Sequence, residues 1–117
     1  MDIRSASGAL VARVDTDGAI RTMHGALLAR FTDDGTLRTA GGASLGSVRG
    51  GDVREPGGRL LARVGDTGDV REPHGALRTR LDGCTVRNPS GAFVLRFAGC
   101  STEDRTLIAA YTMFLHR

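Results

Sequence analysis

At 117 residues the chain has room for one domain with a modest core. All its basic residues are Arg and its net charge is +3, which permits an anionic partner without demanding one. Four Phe, one Tyr and no Trp leave few platforms for base stacking, so nucleic acid is a disfavoured partner. The absence of Lys fits a GC-rich coding bias, or a need for planar guanidinium groups in stacking and bidentate anion contacts.

The opening residues, Met1-Asp2-Ile3-Arg4-Ser5, lack the apolar stretch of a signal peptide, and no lipidation motif is present. The expected location is cytoplasmic, with peripheral attachment at a membrane as its variant. From there the chain is a repeat, and one phrase returns every 16 or 17 residues. Its copies begin at Gly8-Ala9-Leu10-Val11-Ala12-Arg13-Val14, Gly25, Gly42, Gly58, Gly75 and Gly91. A shorter phrase precedes each copy: Ile3-Arg4, Ile20-Arg21, Leu37-Arg38, Val53-Arg54, Val70-Arg71 and Val86-Arg87. Acidic, Gly-ended turns such as Asp15-Thr16-Asp17-Gly18 alternate with turns such as Glu72-Pro73-His74-Gly75. Connections this short join antiparallel neighbours, so each unit is a hairpin.

Alternation along the longer strand puts Leu10, Ala12 and Val14 on one face and Val11 and Arg13 on the other. The equivalents of Val14 are apolar in all six copies: Phe31, Val48, Val64, Leu81 and Phe97 complete the set. The equivalents of Ala12 are mostly small: Ala29, Gly46, Ala62, Thr79 and Leu95. This face reads as the interior, and a level of small residues leaves space at its centre.

The chain ends in Thr106–Leu115, an apolar run without Gly, Pro or charge. Ten helical residues rise about 15 Å, too short for a bilayer, and a helix apolar all round belongs in an interior. Ser101 followed by Asp104 offers a capping-box-like start. Twelve strands spaced about 4.8 Å close into a barrel roughly 20–25 Å across, which leaves about one helix's width inside. The expected fold is therefore all-β with one helix. It is a twelve-stranded antiparallel barrel of six hairpins over residues 2–98, enclosing a hydrophobic C-terminal helix within 101–116, as a single domain.

Repeats of the form Asp-x-x-Gly-x-Val-Arg-x-x-x-Gly-x-x-x-x-Arg-Val ahead of a short apolar helix resemble the β-flower proteins. These are small bacterial barrels of radially arranged hairpins around a hydrophobic helix. The resemblance covers nearly the whole chain and implies a fold more than an activity. The architecture is also similar to the Tubby C-terminal domain and phospholipid scramblases, by shape alone. That likeness implies phosphoinositide or phospholipid contact only by analogy.

The main polar signal is two columns of Arg. The short strands carry Arg4, Arg21, Arg38, Arg54, Arg71 and Arg87. The long strands carry Arg13, Arg30, Arg63, Arg80 and Arg96, with Ser47 in the remaining copy. Both columns face outward by alternation. If Val14 lies opposite Ile20, Arg13 lies opposite Arg21, a like-charge pair that needs compensation. Turn carboxylates such as Asp15, Asp17, Asp33 and Asp34 can supply it. The functional reading is an anionic partner, a phospholipid headgroup or membrane surface.

The neighbouring column Val11, Leu28, Leu45, Leu61, Arg78 and Val94 is expected outside. It is covered there by Arg stems, or it forms a belt for a homo-oligomer. His24 and His74 fall three copies apart, on opposite sides of a ring, so they are expected to share no metal. Cys84 and Cys100 lie one repeat apart; the spacing reads as a product of the repeat rather than a metal site, and whether they bond is open. No nucleophile, base and orienting group recur together. No cofactor, metal or catalytic residue is assigned, and a non-enzymatic binding or scaffold module is expected. A deep polar pocket would reopen the enzymatic alternative.

Overall fold

The computed structural model describes residues 1–116. Twelve strands follow in order: β1 (Asp2–Ser5), β2 (Leu10–Val14), β3 (Ala19–Thr22), β4 (Leu27–Phe31), β5 (Thr36–Thr39), β6 (Ser44–Arg49), β7 (Asp52–Arg54), β8 (Leu60–Val64), β9 (Asp69–Arg71), β10 (Leu77–Asp82), β11 (Thr85–Arg87) and β12 (Phe93–Ala98). Each pairs antiparallel with its chain neighbours. The first strand closes the ring on the last through Asp2↔Ala98, Ile3↔Phe97, Arg4↔Arg96 and Ser5↔Leu95. Closure leaves no strand edge open. A 3₁₀ turn, Thr102–Asp104, then leads into α1 (Arg105–Phe114).

The turns explain the two repeat lengths. In the 17-residue spacings both connections of a unit share one geometry. For example, Gly18 N–H donates to the Asp15 carbonyl while Asp15 N–H donates to the Ala19 carbonyl. This is a turn closed by a glycine in a bulge. The 16-residue spacings contain the two-residue loops Gly50-Gly51 and Gly83-Cys84 instead. Gly50 and Gly51 both take positive φ, +55° and +84°, which a tight hairpin turn of this hand requires.

The interior is layered as the sequence implies. Ile3, Ile20, Leu37, Val53, Val70 and Val86 are each 0% exposed. Each stands opposite a member of the small-residue level: Ala12, Ala29, Gly46, Ala62, Thr79 and Leu95 respectively. Large and small side chains thus alternate round one level of the barrel, as narrow barrels require. The plug occupies the space left. Leu107, Ile108, Ala109, Ala110 and Tyr111 are all buried. Five consecutive buried residues cover every side of a helix. Tyr111 packs edge-on against Phe97, with ring centroids 5.6 Å apart. Each large aliphatic side chain buried here contributes about 1.5–3 kcal/mol.

Two expectations need correction. The helix proper starts at Arg105, later than the span from 101: Ser101 N–H and Oγ both bond the Asp104 carboxylate, and this closes a 3₁₀ turn first.

The faces of the strands also depart from strict alternation. In all six hairpins the ladder slips by one residue next to the short-strand Arg, skipping Val11, Leu28, Leu45, Leu61, Arg78 and Val94. A bulge breaks strict alternation. Val11, Leu45, Leu61 and Val94 therefore pack against the core rather than forming an outer belt. Leu28, 39% exposed, remains outside. Leu10, expected inside, instead stands opposite Arg4 on the Arg-bearing face, and Leu27, Leu60, Leu77 and Phe93 do likewise beside their own arginines.

The sulfurs of Cys84 and Cys100 are bonded, with Cα atoms 5.8 Å apart. The link ties the β10–β11 turn to the segment between β12 and α1.

Candidate anion-binding face

The short-strand Arg column performs one task six times. Each guanidinium donates from Nη1 to the carbonyl of the glycine that closes the next turn. The pairs are Arg4–Gly8 (2.9 Å), Arg21–Gly25 (3.2 Å), Arg38–Gly42 (3.1 Å), Arg54–Gly58 (2.9 Å), Arg71–Gly75 (3.0 Å) and Arg87–Gly91 (3.0 Å). Most of these groups also reach a carboxylate with a second nitrogen. Arg54 Nη2 lies 3.2 Å from Asp52, Arg71 Nη2 lies 3.3 Å from Asp69, and Arg21 Nε lies 3.0 Å from Asp15. One planar group therefore joins a turn carbonyl to an acid. A lysine ammonium on a flexible stem offers no such fork. At these positions Arg has a structural reason.

The long-strand column faces the short one as anticipated: Arg13 pairs with Arg21, Arg30 with Arg38, Arg63 with Arg71, Arg80 with Arg87 and Arg96 with Arg4. Compensation comes partly from the turns, through Asp15–Arg21 at 3.0 Å and Asp17–Arg30 at 3.5 Å. Asp34 instead pairs with Arg49 at 3.7 Å.

The larger share comes from residues that the sequence reading missed. Asp2 sits between Arg4 (3.6 Å) and Arg13 (3.4 Å), Asp52 between Arg54 (3.2 Å) and Arg63 (3.4 Å), and Asp69 between Arg71 (3.3 Å) and Arg80 (3.1 Å). The signal was available as Asp-x-Arg at the start of β1, β7 and β9, since residues two apart on a strand share a face. Arg87 is served by Asp82 at 3.5 Å.

In β11 the place of that Asp is taken by Thr85, which stands opposite Arg96. Among the described residues Arg96 has no carboxylate within ion-pair distance, and Arg38 has only its turn carbonyl. Arg96 is exposed and directly opposite Arg4 across the strand pair that closes the barrel. The least compensated positive charge on the wall lies at this seam.

The mouth where α1 begins has the opposite sign. A cleft of about 950 Å³ there is walled by Asp15, Asp17, Asp33, Asp34, Glu103 and Asp104, with Arg49 at its edge. The Thr32 hydroxyl, then the Thr36 hydroxyl and N–H, hold the Asp34 carboxyl down at about 2. The Ala19 N–H holds Asp17 below its usual range. Acids gathered at a helix N-terminus complement the helix dipole. Among the described residues no group of three or more His, Cys, Asp or Glu side chains is placed to hold a metal. His74 lies 3.2 Å from Glu72 in its own turn.

The architecture is a closed twelve-stranded antiparallel barrel plugged by one short C-terminal helix. Comparison with protein-family models, with curated proteins and with solved structures finds no match for this chain. Among the described residues no helix is long and apolar enough to cross a membrane.

Proposed function

We propose that the chain is a non-enzymatic binding or scaffold module of β-flower-like build, Tubby-like in architecture alone, whose outer wall meets anionic phospholipid. The observation that carries this reading is the Arg4–Arg96 pair, opposed across the closing seam where Thr85 replaces the usual acid. A basic side chain at a lipid surface contributes about 1 kcal/mol. One arginine without an acid, Arg96, beside Arg4, which shares Asp2 with Arg13, then supports a weak, reversible, salt-sensitive contact, in keeping with peripheral attachment in the cytoplasm rather than anchoring. Flotation with neutral and with acidic vesicles tests it. Binding is expected only to acidic vesicles, falling about fivefold in Arg96→Gln and far less in Arg63→Gln, whose charge Asp52 already answers. Absence of binding to both vesicles removes the proposal.

The mouth cleft is roomy and polar enough to raise the enzymatic alternative, and two of its acids are poorly suited to it. A general acid or base works best with a pKa near the working pH, whereas Asp17 and Asp34 are shifted further into the ionised range. Self-association is left with a small apolar surface, Met23 at 55% and Leu28 at 39% exposed on one hairpin. A monomer in light scattering at high concentration would remove that reading.

A further inference from the structure

The disulfide stands where the repeat breaks its own rule. In each hairpin the residue ahead of the short strand accepts a backbone hydrogen bond from the end of the long strand. That residue is Met1, Gly18, Gly35, Gly51 or Gly68 in five copies and Cys84 in the sixth. Of these residues Cys84 is the one tied covalently to the segment that carries the plug. Cys100 is that segment's second residue, and Ser101–Asp104 form a capped turn between it and α1. Fixing Cys100 therefore fixes where the plug begins. Arg105 Nη1 adds a bond to the Asp66 carbonyl, on the neighbouring turn.

Both cysteines are half-buried. A cavity of about 470 Å³, lined by Gly83, Cys84, Cys100, Ser101, Thr102 and Arg105, opens beside them. A reductant has access from this cavity.

We propose that Cys84–Cys100 is a redox latch on the plug helix. A dithiol reductant attacks one sulfur as a thiolate, forming a mixed disulfide and expelling the other sulfur as a thiolate. The reductant's second thiol displaces that bond. The protein gains two electrons and two protons as two thiols, and the reductant leaves as its own disulfide. With the latch open, α1 is held by packing and by Arg105 alone and leaves the lumen more often. In a glutathione-poised compartment, disulfides of this exposure are ordinarily transient and redox-sensing.

The chain carries its own reporter, since Tyr111 is the sole Tyr, there is no Trp, and it lies on the plug. The experiment compares the air-oxidised chain, the same chain in dithiothreitol, and Cys84→Gly/Cys100→Ser, which restores the glycine used elsewhere. Hydrogen exchange of residues 105–114 and acrylamide quenching of Tyr111 are read in each. Reduction is expected to speed helix exchange about tenfold or more by easing local opening of α1, while β3–β8 change little. The double variant matches the reduced chain with or without reductant. Free thiols in the oxidised chain, helix exchange indifferent to reductant, or equal acceleration in every strand would each overturn the latch.

Discussion

Gly46 shows how much one position settles. It takes the small-residue place on β6 with φ +152°, and a Cβ built there would clash with the edge of the Phe114 ring and lie 2.7 Å from the Arg54 carbonyl oxygen. Gly46→Ala should cost about 1–3 kcal/mol through overpacking, read as a lower urea midpoint. Phe114→Leu in the same chain should recover part of that loss, because the two sites share one volume. Asp34 makes a second residue-scale case. Its folded pKa of about 2 lies below the ordinary aspartate value of 3.8. Its contribution is therefore complete above about pH 4 and drains away as pH falls through about 2. Thr32→Val removes the largest cause. An NMR titration should show the Asp34 midpoint rising in that variant, with acid unfolding beginning at higher pH. The small-residue level was legible at Gly46 because size is written in the sequence. The Phe114 contact was not, because the seating of the helix depends on the finished barrel.

At the scale of the hairpin, the repeat announced strands, turns and both Arg columns, since each follows from local pattern. The bulge was invisible to alternation counting: an inserted residue such as Val11 looks like any other apolar strand residue until its partner skips it. The task of the short-strand arginines was equally hidden, because the carbonyl each one grips belongs to a turn whose backbone direction the sequence does not print. That task makes a prediction about chemistry rather than charge. Arg71 spans the Gly75 carbonyl and the Asp69 carboxylate at once. Arg71→Ala should lower stability by about 0.5–1 kcal/mol, the scale of an exposed charged contact. Arg71→Lys should recover less than half, since one ammonium cannot hold both partners. Denaturant midpoints of the three chains decide it. Equal stability of the Lys variant and the parent would return the all-Arg composition to coding bias.

For the molecule as a whole, wall and plug each supply what the other lacks. The wall closes on itself through four residue pairs of β1 and β12, and its inward level alternates large with small, leaving a column that side chains from the strands do not fill. The plug is too short and too apolar to persist alone in water, as isolated helices of this length are marginal even with good propensity. Their interdependence was readable from the sequence because strand count, strand spacing and helix width are linked by geometry. The disulfide across the joint was not, because spacing alone does not bring two sulfurs together.

Ile108, 1% exposed at the centre of the buried run, tests that dependence. Ile108→Ala should cost about 2–5 kcal/mol, the range for deleting a buried aliphatic side chain with partial collapse. Because the void opens onto strands all round, the loss should appear as one transition shifted to lower denaturant with an unchanged slope. Ile108→Asp should go further: a carboxylate in that column has no buried partner, so the helix should leave the lumen or the chain fail to fold cooperatively. A chain that keeps its barrel circular dichroism and its denaturant midpoint with Asp at this position would mean that the wall stands without its plug.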